Sequence, residues 1–149
     1  MSSHVQAFSH FGLCVTDLDQ SLAFYCQGLG FEPTMSHDVG DDYARLMELD
    51  HVTLQSRFIA LGSTSIELLH FVEPPAGGEP ERRPVNKLGL THLSLRVDDI
   101  DAVAADIARF GGTVLDDTRT TIDFHGAQLD FVYCTDPNGV RIELMQLPG

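Results

Sequence analysis

Two histidines and two glutamates are the residues of this chain best suited by type and spacing to do chemistry. His10 and His92 each stand second in a repeated phrase, "SHFGLCVTDLD" at 9–19 and "THLSLRVDDID" at 91–101, with five identities in eleven ungapped positions. Glu67 and Glu143 sit at the centre of a repeated triplet, Ile66-Glu67-Leu68 and Ile142-Glu143-Leu144. Two imidazoles and two carboxylates form a nitrogen-and-oxygen donor set suited to a divalent first-row metal: zinc, nickel, cobalt, manganese or iron(II). A lone strand histidine is usually a hydrogen-bonded structural residue, and a lone strand glutamate usually faces water. Recurrence as matched pairs favours one metal site, because two copies of one module set equivalent positions symmetrically about a shared cleft.

A metal there polarises a substrate oxygen and makes the neighbouring C–H more acidic. Glu143 or Glu67 is the candidate general base for the proton released. The chemistry expected is proton transfer α to a carbonyl of a small substrate, giving a lyase or an isomerase. Substrate contacts are less sharply marked. Arg96 shares a strand face with His92, and Arg141 with Glu143; with Arg57 they could hold a carboxylate bidentately, although solvent-exposed strand arginines account for them more readily. Tyr133, Phe131 and Met145 line the pocket or pack into the core, and spacing does not choose. His125 in "DFHGAQ" fits a loop at the cleft mouth or plain exposure. His4, His37, His51 and His70 have no partner in the repeat and read as structural or exposed, and Phe24 and Tyr25 as core.

Each copy must position its pair with the same elements. A short alternating strand carries Phe8, His10, Gly12 and Cys14 on one face, and its counterpart carries Leu90, His92, Ser94 and Arg96. Helices follow, with Leu18, Leu22 and Tyr25, then Ile100, Val103, Ile107 and Phe110, at helical spacing; Thr16 or Asp17 caps the first and Asp98 the second. Three strand-like segments complete each copy: "EPTMSHD", "VTLQSRFIAL" and "STSIELLHFV", then "TVLDDTR", "AQLDFVYCTD" and "VRIELMQL". A type I turn, "DPNG" at 136–139, introduces the last strand. The reading is α+β, with βαβββ twice: an N-terminal module at 1–72, a linker rich in proline, glycine and charge at 73–87, and a C-terminal module at 88–149, together one domain.

Composition narrows the classes. At 149 residues, 43% hydrophobic and 21% charged, the chain is long enough for one globular domain. A net charge of −13 repels phosphate backbones, which argues against nucleic acid as a partner. No apolar run is long enough to span a bilayer, and "MSSHVQAFSH" lacks the make-up of a secretion signal, so cytoplasmic residence is expected. Three scattered cysteines form neither a disulfide framework nor a zinc pattern and read as small buried hydrophobes.

Four stretches, "HFGLCVTDLDQSLAFY", "SIELL", "THLSLRVDDIDAV" and "DPNGVRIEL", resemble the vicinal oxygen chelate superfamily over nearly the whole chain. That superfamily includes glyoxalase I, methylmalonyl-CoA epimerase, extradiol dioxygenases and bleomycin-resistance proteins. The resemblance implies paired modules in a half-open barrel around a central metal, with His10, Glu67, His92 and Glu143 at the ligand positions, and a homodimer. A glutamate at the second ligand position is similar to bacterial glyoxalase I, where epimerases usually carry glutamine. The further catalytic glutamate of methylmalonyl-CoA epimerase has no clear counterpart; Arg57 stands in that segment. Two alternatives use the same scaffold: an iron(II) ring-cleaving dioxygenase on His10, His92 and Glu143, and a non-catalytic drug-binding or resistance protein.

Overall fold

A computed structural model describes residues 4–149. The element order is β1 (Phe11–Cys14), α1 (Leu18–Leu22), β2 (Glu32–Val39), β3 (Thr53–Leu61), β4 (Thr64–Glu73), β5 (Leu93–Val97), α2 (Ile100–Arg109), β6 (Thr113–Phe124), β7 (Ala127–Thr135) and β8 (Arg141–Gln146). The fold is α+β, and βαβββ occurs twice. β6 runs five residues past its expected end, into a two-residue turn at His125–Gly126.

The strands form two four-stranded sheets of identical topology, β1-β4-β3-β2 and β5-β8-β7-β6. In each sheet the first strand pairs in parallel with the last, and the remaining pairs are antiparallel. Gly12 lies beside Glu67, and Ser94 lies beside Glu143 at the equivalent register. Across the antiparallel neighbour, Phe58 opposes Glu67 and Tyr133 opposes Glu143. These pairings place each glutamate at the same point of its sheet.

Alternation fixes which face carries it. Ile66 and Leu68 are buried on one side of β4, as are Ile142 and Leu144 on one side of β8, so the glutamate between them points to the other side. The Ile-Glu-Leu triplet is therefore an apolar anchor with a carboxylate turned away from it.

The chain divides into two compact units. One comprises the described residues through Leu18 with Gly30–Gly77; the other comprises Asp19–Leu29 with Gly78–Gly149. In the second unit α2 lies on β6, β7 and β8 and buries Ile100, Ala104 and Ile107. Its N-cap is Asp99, not the Asp98 expected from sequence. The Asp99 carboxylate accepts from the amides of Asp101 and Ala102, at 3.1 and 2.9 Å, the geometry that satisfies a first helical turn.

Residues 19–29 follow the first histidine phrase yet pack with the second sheet. Beyond α1 they continue as π-helical turns, Ala23–Gly28. Phe24 and Tyr25 are fully buried. Their neighbours include Gly112, whose position a Cβ would bring within 2.7 Å of Phe24, and Asp136, which accepts a 2.8 Å hydrogen bond from the Tyr25 hydroxyl.

The three thiols are free and differ in setting. Cys134 is buried, and burial pushes its pKa up to about 11. Cys26 is half-buried, while Cys14 is exposed, contrary to the expectation that all three are buried. Among the described residues no helix is long and apolar enough to cross a membrane.

Candidate metal-ligand pairs

The structure brings the four predicted ligands together as two pairs, one in each unit. His10 and Glu67 meet in the first, with Nε2 3.1 Å from Oε2. His92 and Glu143 meet in the second, with Nε2 3.8 Å from Oε1. Within either unit, no group of three or more histidine, cysteine, aspartate or glutamate side chains is arranged to hold an ion among the described residues.

The surroundings of the pairs repeat as well. The residue before each histidine puts a hydroxyl on the ring: Ser9 Oγ is 2.8 Å from His10 Nδ1, and Thr91 Oγ1 is 2.8 Å from His92 Nδ1. When Nδ1 carries the ring proton and donates it to that hydroxyl, the lone pair lies on Nε2, the nitrogen facing the glutamate. Such a partner at the far nitrogen fixes the tautomer and orientation of a ligating histidine. An aromatic ring flanks each imidazole, Phe58 edge-on at 5.0 Å and Tyr133 tilted at 5.7 Å.

A serine holds each carboxylate, but from a different strand. Ser56 on β3 donates to Glu67 Oε1 at 2.6 Å. Ser94 on β5 donates to Glu143 Oε1 at 2.8 Å. The reason for the switch is local. The position equivalent to Ser94 is Gly12, where a Cβ would stand only 3.0 Å from Leu69 Cδ1. A serine there would press on the tip of the Leu69 side chain, and the first unit takes its hydroxyl from β3.

The sequence reading missed Ser56 and Ser94. The hydroxyls of Ser9 and Thr91 were missed too, although a serine and a threonine directly before the two histidines are the signal that could have marked them. Nitrogen and carboxylate oxygen, each braced by a hydroxyl, are donors that fit a divalent first-row metal.

The remaining candidates lie as follows. Tyr133 lines a cavity of about 280 Å³ together with Glu143. Met145 is half-buried and lies beside exposed Arg96 in the β5–β8 register. Arg57 is on the face of β3 opposite Ser56 and Phe58, and donates to Asp38 at 2.5 Å and to the Ser56 carbonyl at 2.8 Å. Arg141 is not the solvent-exposed strand arginine expected. It is 8% exposed, lies 5.0 Å over the Tyr133 ring and donates to the Arg83 carbonyl, while its Nε is buried without a partner. His125 forms the β6–β7 turn with a positive φ of 54°, and His37 meets the Tyr43 hydroxyl at 3.2 Å.

Two sheets of identical topology, each with a His–Glu pair at the same register, describe a duplicated scaffold. The pattern of the Glyoxalase/Bleomycin resistance protein/Dioxygenase superfamily matches residues 7–144. The chain belongs to that superfamily. It is 32% identical to a 2-epi-5-epi-valiolone epimerase of an Actinomyces species, over 96% of this chain and 80% of the relative. It is 33% identical to an ethylmalonyl-CoA/methylmalonyl-CoA epimerase of Cereibacter sphaeroides, over 93% of this chain and 96% of the relative. A glyoxalase family protein from Bacillus cereus shares the fold with a TM-score of 0.84 at 21% identity, covering 99% of this chain and 97% of that one. With named epimerases at about a third identity along nearly its whole length, the superfamily member described here falls among the enzymes.

Proposed function

We propose that this protein is a divalent-metal-dependent isomerase or lyase of the glyoxalase and epimerase type, moving a proton α to a carbonyl of a small substrate. The observation that carries the reading is the duplicated His–Glu pair, each with a hydroxyl on Nδ1 and a serine on the carboxylate. We read His10, Glu67, His92 and Glu143 as the ligands of one metal. The metal, when bound, supplies electrophilic stabilisation of the negative charge that develops on the substrate oxygen.

The chain's own residues supply the rest. Ser9 and Thr91 hold the imidazoles in one tautomer. Ser56 and Ser94 each occupy one carboxylate oxygen and set its direction. Glu143 takes the α proton on Oε2, the oxygen that Ser94 does not hold, because its carboxylate borders the cavity on β6 and β7. The epimerase relatives support proton removal and return on one carbon. Glu67, braced by Ser56 toward His10, supports four ligands over the three of a ring-cleaving dioxygenase. A homodimer in the cytoplasm belongs to the same reading.

Elemental analysis and α-hydrogen exchange test it. The purified chain is expected to hold about one divalent metal, lost in His92→Ala, and to wash deuterium from D2O into a carbonyl substrate. Glu143→Gln is expected to keep the melting temperature and lose the exchange. A metal-free protein in which His92→Ala changes nothing, or full exchange in Glu143→Gln, would sink the assignment.

A further inference from the structure

The two histidine–glutamate pairs differ in their spacing and in the posture of the ring beside them. His10 Nε2 is 3.1 Å from Glu67, whereas His92 Nε2 stands 3.8 Å from Glu143, beyond hydrogen-bond reach. Phe58 meets His10 edge-on, at 79° and 5.0 Å; Tyr133 meets His92 tilted, at 59° and 5.7 Å. The residue before the Ile-Glu-Leu triplet differs too: it is Ser65 in the first unit and Arg141 in the second.

Arg57, Arg109 and Arg119 each meet a carboxylate. Arg141 does something else. It is buried, and its Nε has no hydrogen-bond partner among the described residues. Taking a cation out of water is costly, and what receives this one is a ring and a carbonyl. Arg141 opposes Thr135 and Glu143 opposes Tyr133, so the guanidinium and the phenol ring are diagonal neighbours on one face of the sheet. The guanidinium carbon lies 5.0 Å over the Tyr133 centroid, within the range where the negative face of a ring attracts a cation, the more strongly when water is excluded. From its end, Arg141 Nη2 donates to the Arg83 carbonyl.

That carbonyl belongs to the linker, whose residues from Gly78 onward are part of the second unit. The Arg83 guanidinium donates to the Leu88 carbonyl at 2.6 Å, and the Lys87 amide to the Pro84 carbonyl at 3.2 Å, which closes 83–88 on itself. Upstream, the Glu81 backbone presses on Gly139, where a Cβ would stand 2.7 Å from it. His92 follows Leu88 by four residues. The linker thus reaches the second histidine by two routes, along the chain through 89–91 and across the sheet through Arg141 and Tyr133.

We propose that Arg141 is a positioning residue for the second pair and that the linker at 79–89 braces it. By holding the face of Tyr133, Arg141 keeps that ring tilted against His92 and stops the imidazole from closing on Glu143. The lone pair on Nε2 and the carboxylate then stay open to a cation, a preorganisation that raises affinity. In the first unit, with serine in this place, histidine and glutamate draw together. The proposal rests on the reading of His92 and Glu143 as ligands, and adds what sets their separation.

Two measurements on the full chain test it: nuclear Overhauser contacts between the Tyr133 and His92 rings in the metal-free protein, and zinc affinity by competition with a chelator. Arg141→Met is expected to lose the wild-type ring contacts and to weaken zinc binding about tenfold or more. Arg141→Lys, which returns a cation to the ring, is expected to restore the contacts and most of the affinity. A role in folding alone would lower the melting temperature and leave ring contacts and affinity as in the wild type; that outcome overturns the proposal, as does a lysine variant no better than the methionine one. Should Arg141→Met not fold, Tyr133→Leu against Tyr133→Phe asks the same question, with the affinity loss expected only in the leucine variant. Arg83→Ala opens the 83–88 loop and is expected to weaken zinc binding in the wild type but to add nothing to Arg141→Met; fully additive losses would refute the brace. A wild-type chain that binds no zinc sinks the proposed function, and the ring contacts still report whether Arg141 sets the posture of His92.

Discussion

Tyr25 and Asp136, 111 positions apart, are joined by a 2.8 Å hydrogen bond in the core of the second unit. The phenol comes from the helical segment after the first histidine phrase, and the carboxylate opens the "DPNG" turn before β8. Asp136 also accepts from the amides of Asn138 and Val140, at 2.9 and 2.8 Å, so one side chain shapes the turn that launches the Glu143 strand. Tyr25→Phe leaves a buried carboxylate short of a donor. It is expected to cost about 1–3 kcal/mol, seen as a lower melting temperature, and a variant as stable as the wild type would show the contact to be idle.

Acid and base act on different carboxylates. Asp41 is held below the usual aspartate range by the Val52 amide and then by His51, and Asp130 by Arg119. Their contribution is present above the unfolded aspartate value, about 3.9, and is lost as pH falls through their lower folded values. Asp136 behaves oppositely, because burial raises its pKa. The folded state then holds that proton more tightly, and stability declines as pH rises from about 3.9 through the raised value. Melting temperatures measured across this range are expected to show less decline in Asp136→Asn than in the wild type; parallel curves would refute the assignment.

The serines that hold the glutamates should register in metal affinity before they register in folding. Ser56→Ala and Ser94→Ala are each expected to weaken metal binding by about tenfold or more, measured by competition with a chelator, while the melting temperature changes little. Unaltered affinity in both would detach the serines from the site.

Gly112 has no room for a methyl group. A Cβ would stand 2.5 Å from the Thr135 carbonyl oxygen and 2.7 Å from both Ile107 and Phe24. Gly112→Ala is expected to cost at least the upper part of the 1–3 kcal/mol usual for overpacking, about 3 kcal/mol. Gly40→Ala, where the nearest atom is 3.9 Å away, is the control. Equal denaturation midpoints for the two would disprove the crowding.

Asp41 pins the 40–52 segment between β2 and β3, accepting from the Val52 amide at 2.8 Å and meeting His51 Nδ1 at 3.1 Å. Asp41→Ala is therefore expected to speed amide hydrogen exchange at residues 44–52 more than in β4. Exchange unchanged in that segment would show that apolar contacts alone keep it closed.

Much of this was legible in the sequence because it rests on period and repetition. The alternation around Glu67 and Glu143 marked one buried and one open face, and the doubled phrase marked equivalent positions for His10 and His92. Other features depend on contacts distant in the chain. Ser56 serves Glu67 where the glycine at position 12 carries no hydroxyl, which no strand pattern announces. Arg141 reads as an exposed strand residue until its contacts with the Arg83 carbonyl and the Tyr133 ring are seen. The choice of Asp99 over Asp98 as cap is a one-residue matter that two adjacent aspartates leave open. The difference between the connection at 40–52 and the two-residue turn at His125–Gly126 was present in the spacing of the strands, but its effect on exposure, 8% at Val39 against 47% at Ile122, needed the register.

The placing of residues 19–29 with the second sheet bears on how such a protein could be divided. A gene cut at the linker would yield a C-terminal fragment lacking Phe24 and Tyr25, with an apolar scar over Gly112 and Asp136 deprived of its phenol donor. That fragment would need the 19–29 segment supplied in trans.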